Sequence, residues 1–402
     1  MERSSNDPSP APRPATRYFD LLPNEILSSI VEALASLDLE RHGRYYHSTR
    51  LDLGSLCLTS KHLQAIAKPI LYRKIDFTFF SYRFPQTNSE LCQLVRTFFL
   101  RQIDHDFYSD EEQGSEDERD LVESESAIIG RRAAESFTNL ESLFCSAILS
   151  KAIEPFFGTN IKRLYLSGCQ VNERVNFYFP CLENLSLNCC EFEGIIEIDP
   201  EDPTIFTLPK LRHLSLSGWI RSHYSDVPYP FQELVTGFYD QLVSITLEAQ
   251  YLDILPAHDL SKKGPYLVAD AQRFKPNLPP NVAHLVHGIR FRVEEGTWLN
   301  TRNLLGHVGR ILNESSTNSS AFPLETFYCP TYLNPTYETS RIRKETLEFM
   351  EKCSKFNIDM SFEEERFEPQ RLYDEYISPE VVRRSEERWR RLQRGAERGR
   401  EI

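Results

Sequence analysis

Glycine is sparse in this sequence, and no stretch has the spacing of a phosphate-binding loop. The 402 residues include only 16 glycines, and a loop that cradles phosphate needs several of them close together so that the backbone can approach the ligand. No nucleophile, base and orienting residue stand at a recognisable spacing either. We therefore predict a non-catalytic protein without a cofactor.

Paired cysteines at metal-binding spacing are also missing. The chain has nine cysteines, an odd number, and no close pair is followed by a second pair as in a zinc site. Four cysteines lie within or beside leucine-rich strand patterns, namely Cys145, Cys169, Cys181 and Cys190. A free thiol packs there as a small hydrophobic side chain, so we expect reduced core cysteines and no metal site.

Neither an excess of basic residues nor a long apolar run is present. With 59 acidic and 46 basic residues the net charge is -13, which disfavours binding to nucleic acid. No apolar run approaches the length of a membrane span, and residues 1–17 are polar, with four prolines, unlike a signal peptide. We expect a disordered tail over 1–17 and a protein of the cytoplasm, the nucleus or both.

Near its beginning the sequence has three short segments with apolar residues at helical spacing. The first helix is predicted to start around Pro23, because proline suits a first turn, where its missing N–H needs no partner. A loop from Asp38 to Asp52 is predicted to follow it. Ser60 is expected to cap the third helix, and Pro69 to bend or end it.

Residues 18–75 resemble an F-box, especially its fungal form. The match consists of the ordered motifs Leu22-Pro23-x-Glu25-Ile26-Leu27, Leu53-x-x-Leu56-Cys57-Leu58-Thr59-Ser60-Lys61-x-Leu63 and Ala67-x-Pro69-Ile70-Leu71-Tyr72. An F-box docks on a Skp-type adaptor, and three helices bury little surface alone, so we expect apolar side chains exposed for that contact. The residues implied in adaptor binding are Leu22, Pro23, Glu25, Ile26, Ile30, Leu53, Leu56, Leu63 and Pro69.

Residues 76–365 carry a repeated pattern, apolar-x-x-apolar-x-apolar, which resembles leucine-rich repeats. Its eight copies begin at Val95, Leu140, Ile161, Leu182, Leu211, Leu242, Val286 and Leu324. The last apolar residues of each copy alternate with polar ones, which predicts a short strand with one apolar face. The resemblance implies an α/β fold, in which the F-box precedes a solenoid with a curved parallel sheet.

The outward strand positions are predicted to line a concave surface that binds a target protein. They are Arg163, Tyr165, Asn184, Ser186, His213, Ser215, Thr246, Glu248, Arg290 and Arg292. Since they mix polar, aromatic and charged groups, no class of target is favoured.

Two charged segments complete the chain. Residues 104–125 hold eleven acidic residues, which we interpret as a disordered, solvated loop, with a substrate or phosphorylation role as the alternative. Residues 366–402 are predicted to form an exposed arginine-rich helix that frays into disorder, with a localisation or anchoring patch as the alternative.

Together these resemblances imply the substrate-recognition subunit of an SCF-type ubiquitin ligase. Its partners would be a Skp-type adaptor, through it a cullin and a RING subunit, and an unknown target protein held by the repeats. The alternative is an interaction scaffold that uses the same two regions without directing degradation.

Overall fold

The computed structural model describes residues 22–41, 46–76, 89–101, 125–148, 150–172, 177–193, 206–218, 221–222, 229–248, 251–252, 255, 264–271, 286–291, 324–330, 334–336, 343–363 and 379–398. These residues form a mixed α/β protein with eight α-helices and sixteen strands. The chain divides into two compact units, Met1–Tyr72 and Arg73–Ile402.

The first unit packs three helices around a small apolar core. The helices are α1 Asn24–Arg41, α2 Tyr46–Thr59 and α3 Lys61–Arg73. The core contains Val31 of α1, Leu53 of α2 and Ala67 of α3, with half-buried apolar side chains around them. Because this interior is so small, it cannot take up all the apolar residues of the three helices.

Local capping contacts explain where α1 and α3 begin. The carbonyl of Pro23 accepts hydrogen bonds from the backbone N–H groups of Ile26 and Leu27, each at 3.1 Å. The hydroxyl of Ser60 accepts a 3.1 Å hydrogen bond from the N–H of Leu63. The prediction that Ser60 caps the third helix is therefore confirmed.

One prediction for this unit is wrong, and of the two alternatives for Pro69, a bend or an end of the helix, the second is excluded. Most of the predicted loop from Asp38 to Asp52 is helical, because α1 continues to Arg41 and α2 starts at Tyr46. Pro69 does not end α3, which continues to Arg73. Proline removes one helical hydrogen bond, but Pro69 lies on an exposed side of the helix, where water can solvate the carbonyl that loses its partner.

The second unit is built on a large parallel sheet. Its strands are β1 Lys74–Asp76, β2 Thr97–Arg101, β3 Ser142–Ser146, β4 Arg163–Ser167, β5 Gln170–Asn172, β6 Phe177–Tyr178, β7 Asn184–Asn188, β8 Glu191–Glu193, β9 Phe206–Thr207, β10 His213–Ser217, β11 Arg221–Ser222, β12 Ser244–Glu248, β13 Tyr266–Ala271, β14 Gly288–Phe291, β15 Thr326–Pro330 and β16 Asp359–Glu363. Eleven of them form one sheet in the order β1-β2-β3-β4-β7-β10-β12-β13-β14-β15-β16. Strands β5, β8 and β11 form a second sheet, and β6 and β9 a third.

The second unit also contains five α-helices in its described residues, four of which lie between strands, while the fifth follows the last strand. They are α4 Ser89–Cys92, α5 Glu125–Ser136, α6 Tyr229–Phe238, α7 Arg343–Lys355 and α8 Pro379–Arg398, with short 3-10 helices at Ser150–Ala152, Glu154–Phe156 and Tyr239–Gln241.

The repeated apolar pattern forms one face of the eleven-stranded sheet. Leu164, Leu185, Leu214 and Ile245 lie side by side in register on β4, β7, β10 and β12, and all four are buried. The prediction of short parallel strands at the eight copies of the pattern is confirmed.

Three strands of the sheet escaped prediction. β13 and β16 have Gly264 and Asn357 where the pattern requires an apolar residue. β1 follows α3 directly and pairs with β2, with Lys74 opposite Thr97. The predicted boundary at residue 75 is therefore too late, because β1 belongs to the sheet of the second unit.

Each of four successive repeats turns at the residue that follows its strand. Ala147, Gly168, Cys189 and Gly218 all have a positive φ, between 47° and 74°. Backbone hydrogen bonds run from the N–H of Ala147 to Ser167, from Gly168 to Asn188 and from Cys189 to Ser217. The repeated left-handed residue thus sets the direction in which the chain leaves the sheet.

Several predicted segments lie outside the described residues. They are the N-terminal tail 1–17, the acidic run 104–125 apart from Glu125, which begins α5, and the parts 366–378 and 399–402 of the C-terminal segment.

Candidate protein-interaction surfaces

Helix α1 of the first unit has an exposed apolar stripe. Leu22 just before the helix is 37% exposed, and Ile26 and Ile30 are each 48% exposed. The three residues are spaced by four, so they lie on one side of the helix. Leu27 and Val31, on the neighbouring side, are buried. The helix therefore has two apolar sides, of which the unit's own core covers one.

The other residues predicted to bind an adaptor are divided between surface and core. Pro23, Glu25 and Pro69 are exposed, and Leu56 is half-buried. Leu53 and Leu63 are buried. The expectation that these two leucines contact an adaptor does not fit this arrangement, because α1 and α3 pack with α2 to enclose Leu53 in the core.

The large sheet of the second unit has a face opposite its buried leucines, which we call the polar face. It carries Ser215 of β10 and Thr246 of β12, which lie opposite each other in register. Of the predicted target-binding residues on this face, Arg163 is exposed, and Tyr165, Asn184, Glu248 and Arg290 are half-buried. Arg292 lies outside the described residues.

Four of the predicted target-binding residues are buried. They are Ser186, His213, Ser215 and Thr246. The prediction that they line an open surface is wrong, and a helix on this side of the sheet explains part of their burial: α8 contacts β12, and its Glu386 reaches His213.

Helix α8 packs across the polar face. Val381 of α8 is completely buried in a cluster with Tyr266, Val268 and Tyr328, and Ser385, one turn further along, is buried as well. The prediction of an exposed C-terminal helix is therefore wrong for the first half of α8. Val381 and Ser385 give the helix a small side that can approach the sheet closely.

Arg384 joins this helix to two strands. Its Nη1 donates a 2.7 Å hydrogen bond to Oγ1 of Thr326 and lies 3.2 Å from Oδ2 of Asp359. Its Nε donates to Glu380 one turn earlier, at 2.9 Å. Hydrogen bonds from Arg383, and also from Arg384, lower the pKa of Glu380, so this carboxylate is charged at neutral pH.

Glu386 connects α8 to the beginning of β10. Its Oε1 lies 3.0 Å from Nη2 of Arg212 and 3.4 Å from Nε2 of His213, whose Nδ1 lies 2.7 Å from Oγ of Ser244. Burial lowers the pKa of His213 to about 4, although Glu386 acts in the opposite direction. The neutral ring therefore donates from Nε2 to the carboxylate and accepts the Ser244 hydroxyl at Nδ1.

A serine, a histidine and a glutamate in this sequence of contacts resemble the triad of a hydrolase. Ser244 is completely buried, however, so a substrate has no access to its hydroxyl. Glu386 also comes from α8, so the trio links that helix to two strands. We interpret Ser244, His213 and Glu386 as a docking contact.

A second, half-buried histidine lies near the same helix. The ring of His287 stacks on Tyr266 with 5.5 Å between centroids, and its Nδ1 accepts a 3.3 Å hydrogen bond from the N–H of Leu267. The guanidinium of Arg388 lies over Tyr266, 5.9 Å from the ring centroid. Burial, and then the charge of Arg388, lower the pKa of His287 to about 3.

Mild acid should destabilise this unit. In the unfolded chain a histidine titrates near pH 6.5, whereas His213 and His287 titrate at about 4 and about 3 in the fold. As the pH falls below about 6.5, the unfolded state binds protons that the folded state does not, so each histidine lowers the free energy of unfolding by about 1.4 kcal/mol per pH unit. Urea unfolding of the wild-type chain between pH 7 and pH 5 measures this loss.

The variant His213→Gln isolates one of the two contributions. It should reduce the slope of stability against pH by the share of His213, whose charged neighbours are Glu386 and Arg212. Above pH 5 most carboxylates stay charged in both states, so they contribute little to this window. Equal slopes for the two chains would contradict the assignment.

At the other end of the sheet, three aromatic rings stack on the polar face. Phe99 of β2, Phe144 of β3 and Tyr165 of β4 are opposite one another in register, with centroid distances of 4.6 and 4.2 Å. Phe144 and Tyr165 are half-buried. Of the three, only Tyr165 is among the predicted target-binding residues; Phe99 and Phe144 are, like it, aromatic residues between the apolar positions of a repeat, a pattern that would have identified them.

The cysteines are reduced. None of the nine, all of which lie in described ranges, forms a disulfide. Cys145, Cys169 and Cys190 are buried, and Cys181 is half-buried. Burial raises the pKa of Cys145 and Cys190 well above the ordinary value, so both thiols stay protonated and unreactive.

No group of three or more His, Cys, Asp or Glu residues in the described ranges has the arrangement of a metal site. None of the helices in those ranges combines the length and hydropathy needed to cross a bilayer.

Comparison with known proteins assigns no family. No protein-family model and no curated protein matches this chain. The geometry defines only a class: a mixed α/β protein with a large parallel sheet, whose N-terminal unit has an exposed apolar stripe and whose sheet binds its own C-terminal helix.

Proposed function

We propose that this protein is the substrate-recognition subunit of an SCF-type ubiquitin ligase. In this proposal the first unit is an F-box that docks on a Skp-type adaptor, and the second unit is a leucine-rich-repeat solenoid that holds the target. A cullin and a RING subunit join through the adaptor. We expect the protein to act in the cytoplasm, the nucleus or both.

The observation that carries the proposal is the apolar stripe of Leu22, Ile26 and Ile30. It lies on a unit whose core already contains Leu27 and Val31, so the exposed side chains are surplus to the internal packing. Exposed apolar patches of this kind commonly mark binding surfaces. At about 25 cal/mol per Å² of apolar area, covering three such side chains supplies several kcal/mol before the cost of association is subtracted.

The receptor itself performs no bond-making step in this proposal. It supports ubiquitin transfer by holding a target lysine near the activated ubiquitin, which raises the effective concentration of the reacting groups. The burial of Ser244 supports such a non-catalytic role only for its own trio with His213 and Glu386, to which a substrate has no access.

The variant Ile26→Glu with Ile30→Glu should abolish co-purification with the Skp-type adaptor. Burial of two isoleucines is lost and two carboxylates would be desolvated, so we expect affinity to fall by about 100-fold or more. Leu22→Ala with Pro23→Ala should have the same effect in weaker form. Pull-down of the full chain and titration with purified adaptor measure both.

The matched control is Leu347→Glu on α7, since Leu347 is 47% exposed, close to the value for the two isoleucines. This variant should keep wild-type affinity for the adaptor. Undiminished adaptor binding by the α1 variant would refute the docking model. If the adaptor binds but no protein accumulates when the chain is deleted, the alternative of a non-degradative scaffold is favoured.

A further inference from the structure

The contacts that α8 makes with the polar face indicate which kind of helix this face can bind. Between positions 381 and 388 its sheet-facing residues follow the pattern Val-x-x-Arg-x-Glu-x-Arg. Val381 enters the cluster of Tyr266, Val268 and Tyr328. Each of the three charged residues meets a different partner, so a helix is recognised here by side-chain chemistry in addition to apolar burial.

The partners of these charged residues lie at the starts of four strands of the large sheet, β10, β13, β15 and β16. Thr326 and Asp359 bind Arg384 at 2.7 and 3.2 Å. Arg212, which immediately precedes β10, binds Glu386 at 3.0 Å. The aromatic ring of Tyr266 lies under Arg388. Groups at the N-terminal ends of β10, β13, β15 and β16 therefore all contact one amphipathic helix.

Few strong contacts bind α8 to the polar face. Among residues 380–395, whose burial the structure describes, Val381 is the one apolar side chain that is fully buried. The side chains of Arg212 and Asp359 are 40% and 74% exposed, and ion pairs of such exposure contribute little to stability. Leu392, further along the helix, is exposed.

One polar atom of α8 and one of the polar face lack hydrogen-bond partners in the part of the chain that the structure describes. Nη1 of Arg388 and Oγ of Ser215 are buried and have no hydrogen-bond partner among the described residues. Burial of such groups costs free energy that a suitable partner recovers. A different helix that avoids this cost at the position of Arg388, or that offers a partner to Ser215, would therefore bind this face better than α8 does.

We propose that the polar face of β10 to β16 is a helix-binding surface, and that α8 occupies it in place of a target segment forming an amphipathic helix of the pattern Val-x-x-Arg-x-Glu-x-Arg. This inference rests on the proposed function, because it names the kind of target that the receptor would hold. The target contributes an apolar residue, two arginines four positions apart and a carboxylate between them.

The covalent connection of α8 to the sheet explains how α8 stays on the polar face, despite its modest contacts, until a target binds. Residues 364–378 tether α8 to β16, and such attachment raises the effective concentration of the helix at its surface to the order of millimolar. A target in solution must exceed this advantage through better contacts. Binding of the target and docking of α8 exclude each other because they use the same groups.

A labelled peptide of residues 379–398 tests this exchange. We compare the full wild-type chain with the full chain carrying Val381→Asp, which places a charge in the apolar cluster and releases α8. The released chain should bind the peptide. The wild-type chain should bind it with an affinity at least about tenfold lower, because its own helix occupies the surface. Fluorescence anisotropy measures both.

Adjacent arginines provide a matched control. Arg384 faces the sheet, whereas Arg383 bonds to Glu380 and Glu387 of its own helix. The peptide with Arg384→Ala should bind the released chain about tenfold more weakly, since it loses charge-assisted hydrogen bonds. The peptide with Arg383→Ala should bind as the unmodified peptide does.

Three results would overturn the inference: no peptide binding by the released chain, equal binding by wild-type and released chains, or equal losses for the two arginine variants. If circular dichroism finds the Val381→Asp chain unfolded, the Glu386→Ala chain, which keeps the apolar cluster, is judged by the same criteria. The assay contains no adaptor. Its failure would leave the docking of the F-box untouched, and loss of adaptor binding would not affect the peptide result.

Discussion

Replacing Gly218 with alanine should lower the free energy of unfolding by about 2–5 kcal/mol. Gly218 has a φ of 74°, which strains any residue with a Cβ atom. A Cβ there would lie 2.3 Å from Sγ of Cys189, 2.4 Å from Oδ1 of Asn188 and 2.8 Å from the backbone N of Cys189. The side chains of Cys189 and Asn188 can shift, but the backbone N of Cys189 is fixed in the neighbouring turn. The cost of the overlap therefore adds to the cost of the strained φ.

The control for this prediction is Gly168→Ala, at the equivalent position of an earlier repeat. Gly168 has a φ of 60°, and the nearest atom to its Cβ would be 3.9 Å away. Ala147 adopts a φ of 51° at the same position, so a methyl group is tolerated in this turn. We expect a loss of about 1 kcal/mol. Urea unfolding of both variants measures the difference, and equal losses would show that the overlap at Gly218 is relieved.

Gly288→Ala should destabilise both the second unit and the docking of α8, by about 1–3 kcal/mol. Its Cβ would lie 2.8 Å from Cε2 of Tyr328, 3.3 Å from Cγ2 of Val268 and 3.4 Å from the hydroxyl of Tyr266. These three side chains form the cluster that receives Val381. The two tyrosines are buried and their hydroxyls lie 3.1 Å apart, so neither ring can move without cost.

Hydrogen exchange of the α8 amides distinguishes this effect from general destabilisation. Gly288→Ala should speed exchange in 379–398 under conditions where β3 and β4 keep their protection. The control is Gly237→Ala near the end of α6, where no atom lies within 4 Å of the added Cβ. That variant should gain up to about 1 kcal/mol, because alanine favours the helix. Unchanged exchange in α8 would argue against a shared cluster.

The strands of the repeats could be predicted because each carries its signal within six residues. Leu214 and Leu216 point to the apolar face whatever the rest of the chain does, since side chains alternate along a strand. Register with Leu185 and Leu187 then follows from burying both pairs together. β13 was not predicted because Gly264 stands at the first position of the pattern, where an apolar residue is required. Its place in the sheet follows from its pairing with β12 and not from its own sequence.

The first unit was predictable in kind and only partly in detail. Helical spacing identified α1, but it did not separate the side that packs inside, with Leu27 and Val31, from the exposed side, with Ile26 and Ile30. Both sides are apolar and adjacent, so only the positions of α2 and α3 decide which is covered. Leu53 entered the core for the same reason.

The polar face shows where local patterns stop being informative. Ser215 and Thr246 alternate with leucines and read as surface residues, yet both are buried. Arg384 forms a hydrogen bond with Thr326, 58 positions away in the sequence, and His213 forms one with Glu386, 173 positions away. No spacing rule links residues so far apart, because their encounter depends on where the sheet places each strand.

By itself, the sequence determined the parallel strands of the repeats, the three N-terminal helices and the reduced state expected of the cysteines, because each follows from residues close together in the chain. Only the tertiary structure decided that α8 lies on the polar face and that α1 exposes one of its two apolar sides. Packing between distant elements sets burial, and burial determines which polar and apolar groups remain available to a partner.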